Sequence, residues 1–107
     1  MEKTLEDQLI ERFTLATFLE SVRLFEEGIA GPEDIDIAMR AGAGLPLGPF
    51  AWADREGLDV ILNRLEKWAQ SLPGFEPPVS LRQRVARGDL GVKTGRGYLR
   101  YGKEAVE

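Results

Sequence analysis

Residues 42–49 read Gly-Ala-Gly-Leu-Pro-Leu-Gly-Pro, and they constrain the fold more than any other stretch of this chain. Three glycines and two prolines in eight positions exclude a helix interior or a central strand. They predict a rigid corner, with Pro49 at the first position of a new helix. Phe50 and Trp52 follow at once, so large apolar groups are expected to pin the corner. The spacing Gly42-x-Gly44-x-x-x-Gly48 does not match a nucleotide loop, because no strand precedes it and no Lys-Ser/Thr follows.

Around this corner the pattern is helical. A first helix is expected over 5–27, opened by Thr4 and Asp7 in the manner of a capping box and closed by Gly28. Leu5, Leu9, Phe13 and Ala16 recur at helical spacing, followed by Leu15, Phe18, Leu19, Val22 and Phe25. That apolar band is wider than one core face needs, which predicts a second contact for this helix. A second helix is expected over 32–40, with Pro32 first and Ile35, Ala38 and Met39 inward. Its acidic cluster of Glu33, Asp34 and Asp36 is read as dipole and capping work rather than a metal site.

Leu58, Ile61, Leu62, Leu65, Trp68, Ala69 and Leu72 predict an amphipathic helix over 58–71. Pro73, Gly74, Pro77 and Pro78 make a stiff loop with Phe75 turned into the core. A further helix over 80–87 carries Leu81 and Val85 inward and ends at Gly88. Arg82, Arg84 and Arg87 form its basic face, with Lys93, Arg96 and Arg100 beyond. This cluster either meets phosphates or balances the acidic helices. Residues 98–101 read as extended, and 102–107 are expected to fray. The fold class is therefore all-α, about five helices in one domain over 1–107.

Three motifs carry a resemblance: Gly28-Ile29-Ala30-Gly31-Pro32-Glu33-Asp34-Ile35-Asp36, the corner with its continuation to Asp59, and Gly91-Val92-Lys93-Thr94-Gly95-Arg96-Gly97-Tyr98. In this order and spacing the chain resembles the C-terminal domain of the 3-hydroxyacyl-CoA dehydrogenases, from about residue 10 to 101. The resemblance implies the compact helical array that this family appends to a Rossmann domain. It implies a homodimer interface and a slot for an acyl-CoA tail, with Glu11, Leu15, Pro46, Gly48, Pro49 and Trp52 as candidate substrate-binding residues. The family's pattern near the start of the first helix is an apolar residue followed by Asn-Arg, the Asn belonging to the active site. This chain has Ile10-Glu11-Arg12. A carboxylate only accepts hydrogen bonds and adds negative charge, which suits a polarised thioester poorly. The bland reading of Glu11 is a solvated helix glutamate.

Composition narrows the chemistry. Histidine and cysteine are both absent, which removes the commonest general base, the commonest metal ligand and a thiolate nucleophile. The family's His–Glu pair and its NAD site lie in the Rossmann domain, and no strand followed by Gly-x-Gly-x-x-Gly is present. No catalytic residue, metal site or cofactor site is therefore expected in this chain; NAD is implied only for a complete enzyme, through a separate NAD-binding domain or chain. The net charge of −4 argues against a nucleic-acid surface. No apolar run approaches a membrane span, and a cytoplasmic location is expected. Two functions stand side by side: the substrate-side and dimerisation domain of a dehydrogenase, inactive by itself, or a free-standing non-catalytic dimeric module that binds an acyl-CoA or a partner protein.

Overall fold

A computed structural model describes residues 4–102. Apart from Gly102, the expected fraying of the C-terminus falls outside these residues. Five α-helices follow one another: α1 (Leu5–Glu26), α2 (Pro32–Gly42), α3 (Pro49–Glu56), α4 (Leu58–Ala69) and α5 (Val79–Arg87). A single 3₁₀ turn, Val92–Thr94, comes after them. The all-α expectation holds. Boundaries shift by one or two residues: α1 stops at Glu26, α2 runs on to Gly42, and α4 closes at Ala69 instead of Ser71.

The termini follow from local chemistry. Thr4 Oγ1 accepts the Asp7 amide at 3.1 Å. Gly28 takes a left-handed φ of 80° past the end of α1. There the Gly28 amide reaches the Phe25 carbonyl and the Ile29 amide the Leu24 carbonyl, a Schellman closure. Gly88 closes α5 the same way, with Asp89 donating back to Arg84.

The short helix α3 is the hub, in contact with α1, α2, α4 and the 3₁₀ turn. Its own N-cap, Gly48, has no side chain to offer, so the cap comes from α2. The Asp36 carboxylate accepts the Phe50 and Ala51 amides, each at 2.9 Å. Asp36 thus does the capping work read for its acidic cluster, but it is buried and caps a different helix from its own. Gly48 is required beneath it, since a Cβ there would lie 2.2 Å from Asp36 Cγ.

The core is a ring of aromatics seated on α3. Phe18, Phe25, Phe50 and Tyr98 meet mostly edge-to-face, with Phe50 and Tyr98 centroids 4.8 Å apart. Leu15, Leu58, Ile61, Leu65 and Leu81 fill the rest, and Phe75 is buried against Trp68 as its loop suggested. Arg84 lies 4.3 Å over the Tyr98 ring and is not on an open basic face. Three of the remaining basic residues pair with acids: Arg82 with Glu66, Arg87 with Asp89, Lys93 with Asp59. These three pairs agree with the charge-balance reading of the cluster.

Residues 91–101 form a hook rather than the extended segment read for 98–101. Two isolated bridges, Gly91 with Arg96 and Arg96 with Arg100, tie it together, and the Tyr101 amide donates to the Gly95 carbonyl at 2.9 Å. The hook closes on Asp54 in the middle of α3. Asp54 accepts the Tyr98 amide at 3.0 Å, the Leu99 amide at 2.9 Å and the Tyr101 hydroxyl at 2.9 Å. Gly91 and Gly97 permit this approach, because a Cβ at either would stand 2.2 Å from an Asp54 oxygen.

Candidate functional site

The site lies where the first half of α1 leaves the core. Leu15, Phe18, Leu19 and Val22 in the second half of α1 are buried. Leu5, Leu9 and Phe13, spaced by four on one face, are each more than half exposed. Between this transition and the corner is an apolar pocket of about 140 Å³. Phe13, Thr14 and Thr17 of α1 form one wall. Leu45, Pro46 and Leu47 of the corner, with Pro49 and Trp52 of α3, form the other.

Local chemistry makes this pocket apolar although two threonines line it. The Thr17 hydroxyl donates to the Phe13 carbonyl at 2.9 Å, and the Thr14 hydroxyl turns back to the Ile10 carbonyl. Both hydroxyls are thereby satisfied within α1. The Trp52 ring is held edge-on against buried Phe18, with centroids 6.5 Å apart. No lining residue is titratable, so the pocket can wall and orient an apolar group but cannot move a proton.

Of the residues singled out from the sequence, Pro46, Pro49 and Trp52 come together here. Leu15 is fully buried in the core and Gly48 lies under Asp36, and neither lines the pocket. Glu11 is elsewhere on α1 and is no solvated glutamate. It is half-buried, and its Oε2 accepts the Trp68 indole N–H from α4 at 3.0 Å. The Arg12 guanidinium stands 6.0 Å from the same ring. Glu11 and Arg12 together dock α1 onto α4. Phe13, Thr14, Thr17, Leu45 and Leu47 were not foreseen as lining, although the spacing of Phe13, Thr14 and Thr17 already placed them on one helical face.

The two buried carboxylates, Asp36 of α2 and Asp54 of α3, are structural. Desolvation pushes Asp54 above the ordinary aspartate value, against the pull of the Leu99 and Tyr98 amides and the Tyr101 hydroxyl. Asp36 is raised for the same first reason, against the Phe50 and Ala51 amides. Among the described residues, no group of three or more acids is placed to hold a metal ion.

A five-helix domain with an apolar pocket at a proline-glycine corner is the class these features define. The family model for the 3-hydroxyacyl-CoA dehydrogenase C-terminal domain matches residues 9–101. Mitochondrial hydroxyacyl-coenzyme A dehydrogenase of Mus musculus is 42% identical over 96 residues, covering 87% of this chain and 31% of its own length. The solved (S)-3-hydroxybutyryl-CoA dehydrogenase from Ralstonia eutropha is similar at a TM-score of 0.81 and 39% identity, over 86% of this chain and 33% of that one. The 3-hydroxybutyryl-CoA dehydrogenase of Escherichia coli gives 0.75 and 33%, over 82% and 20%. The chain belongs to the 3-hydroxyacyl-CoA dehydrogenase family, as its C-terminal domain. It spans about a third of the length of the curated relatives it matches.

Proposed function

We propose that this chain is the substrate-side and dimerisation domain of an enzyme that interconverts 3-hydroxyacyl-CoA and 3-oxoacyl-CoA with NAD in fatty-acid metabolism. The observation that carries this reading is the apolar pocket between α1 and the corner, which suits an acyl tail and carries no titratable group. The chain supplies walls and orientation. Among the described residues no strand leads into a helix to form a turn for a dinucleotide pyrophosphate, and we assign NAD and the base to another domain or chain. The exposed Leu5, Leu9 and Phe13 stripe is the surface we assign to a second copy of this domain. We also propose a cytoplasmic location, which cell fractionation tests.

The purified chain is expected to leave NADH unoxidised in the presence of acetoacetyl-CoA, and turnover above a blank overturns the reading. Titration calorimetry with an acyl-CoA tests the pocket: heat that saturates supports substrate-side binding, and its absence removes the acyl role.

One observation favours a second reading, a free-standing dimeric module without catalysis that binds an acyl-CoA or a partner protein. Glu11, at the position of the family's active-site Asn, is engaged with Trp68 in docking α1 onto α4. Glu11→Asn in the longest natural form of the protein separates the two. Under the dehydrogenase reading kcat changes; under the module reading the protein has no activity before or after.

A further inference from the structure

We infer that Glu11 is a positioning residue for self-association: through Trp68 it sets the direction of the first half of α1, and so presents Leu5, Leu9 and Phe13 to a second copy. This rests on the assignment of that stripe to a second copy and adds what holds the stripe in place.

The two halves of α1 turn their apolar sides in different directions. Leu15, Phe18, Leu19 and Val22 are buried on one face. At about 100° per residue, that face carried back toward the N-terminus passes through Gln8 and Glu11, both polar. Leu5, Leu9, Ile10 and Phe13 centre about 150° away from it. All four are more than half exposed. From residue 4 to residue 13, Glu11 alone is not exposed. The start of α1 is therefore an arm that the core of this domain does little to hold, with its apolar side facing outward.

The structure shows how the arm is braced. Glu11 Oε2 accepts the Trp68 indole N–H at 3.0 Å, and the Arg12 guanidinium stands 6.0 Å from the same ring. Trp68 is a fixed anchor, its ring 5.9 Å from that of buried Phe75. Just past Glu11, the Thr14 hydroxyl donates to the Ile10 carbonyl and the Thr17 hydroxyl to the Phe13 carbonyl. Bonds of this kind weaken a helix slightly and often bend it, so the junction is the compliant point of α1. In a two-fold dimer the two arms must meet at one angle. An arm already held at that angle loses less freedom on association.

The test compares Glu11→Ala, Glu11→Gln, Trp68→Phe and the double variant Glu11→Ala/Trp68→Phe. Sedimentation gives the dimer dissociation constant, and NMR hydrogen exchange, on samples dilute enough to be monomeric, gives the protection of the arm. Glu11→Ala and Trp68→Phe are each expected to weaken the dimer about tenfold and to speed exchange of the Leu9–Phe13 amides by a similar factor. The amides of Leu15–Val22 keep their wild-type rates. Glu11→Gln, whose side-chain oxygen still accepts, recovers most of both effects. The double variant is no worse than either single one, because both remove the same contact.

Unchanged exchange in the arm, or a looser arm with an unchanged dimer, overturns the inference and leaves the dimer standing. Faster exchange throughout α1 overturns it as well, since the effect is then on the whole domain. Additive losses in the double variant, or no recovery in Glu11→Gln, show that Glu11 does not act through Trp68. A wild-type chain that stays monomeric overturns the dimer reading, and the inference with it.

Discussion

The phenolic hydroxyl of Tyr101 donates to the buried carboxylate of Asp54 at 2.9 Å, joining the last turn of the hook to the middle of α3 across 47 residues. With the Tyr98 and Leu99 amides on the same carboxylate, one aspartate holds the whole closing segment. Asp54→Ala leaves two backbone donors and a hydroxyl without their acceptor. A loss of about 3–5 kcal/mol is expected, since each buried donor left unpaired costs on the order of 1–3 kcal/mol. Tyr101→Phe removes one bond and should cost about 1 kcal/mol. Urea denaturation monitored by circular dichroism checks both.

The same carboxylate sets a pH dependence with a definite sign. Asp54 is raised in the folded protein, first by desolvation, so the folded state binds its proton more tightly than the unfolded chain. Its contribution is fully present below the ordinary aspartate value and is lost as pH rises through the folded value. Asp54→Asn cannot titrate. The stability gap between wild type and Asp54→Asn is expected to widen as pH falls from 7 towards 4. Comparison at each pH cancels the opposite contribution of Asp59, whose carboxyl is held low by the Lys93 ammonium. Thermal melts of both proteins across this range settle the sign, and a narrowing gap would mean the carboxylate is held ionised.

Gly48 and Gly42 should respond differently to alanine. Gly48 has an ordinary φ of −66°, so its requirement is purely steric: a Cβ would meet Asp36 at 2.2 Å. Moving Asp36 breaks the cap on α3, and Gly48→Ala is expected to cost about 2–3 kcal/mol. Gly42 is the last residue of α2 with open space around it, so Gly42→Ala should be neutral or stabilising by up to about 1 kcal/mol. Denaturation midpoints of the two variants distinguish steric need from mere turn preference.

Self-association depends on the start of α1. Leu5, Leu9 and Phe13 are exposed, while Leu15, Phe18, Leu19 and Val22 further along the helix are buried. The 11.9 kDa chain is expected to sediment at twice its mass, and Leu9→Glu to return it to the monomer with little change in thermal midpoint. A monomeric wild type at high micromolar concentration counts against the dimer.

Much of this was legible in the sequence because the signals were local. Helical spacing, Pro32 and Pro49 at helix starts, and Gly28 and Gly88 at helix ends each act within one turn, and each element stands where expected. What escaped depends on partners distant in the chain. Asp36 reads as one more acid in a first turn, and its capping role exists only once α3 lies 14 residues away in sequence but in contact. Asp54 sits in a run, Trp-Ala-Asp-Arg, that shows nothing of the hook 44 residues later. Glu11 looked like a surface residue because its partner, Trp68, is 57 residues distant. For the pocket, Pro46, Pro49 and Trp52 stood out as corner residues. Thr14 and Thr17 did not, since a hydroxyl bonded back to its own helix behaves as an apolar surface.

The arrangement of α3 has a consequence for how the chain is made. An eight-residue helix is too short to persist by itself, and both carboxylates that fix it act over long separations: one caps it from 14 residues upstream, and the other lies within it and is occupied by groups 44–47 residues downstream. On a ribosome, α1, α2 and the first half of the corner can form as they emerge. The hub cannot lock until Tyr98 to Tyr101 have cleared the exit tunnel, so Asp54 stays open to water until nearly the whole domain has been synthesised. Completion is therefore a single late event, and a chain truncated before Tyr98 should expose its aromatic core to chaperones and proteases.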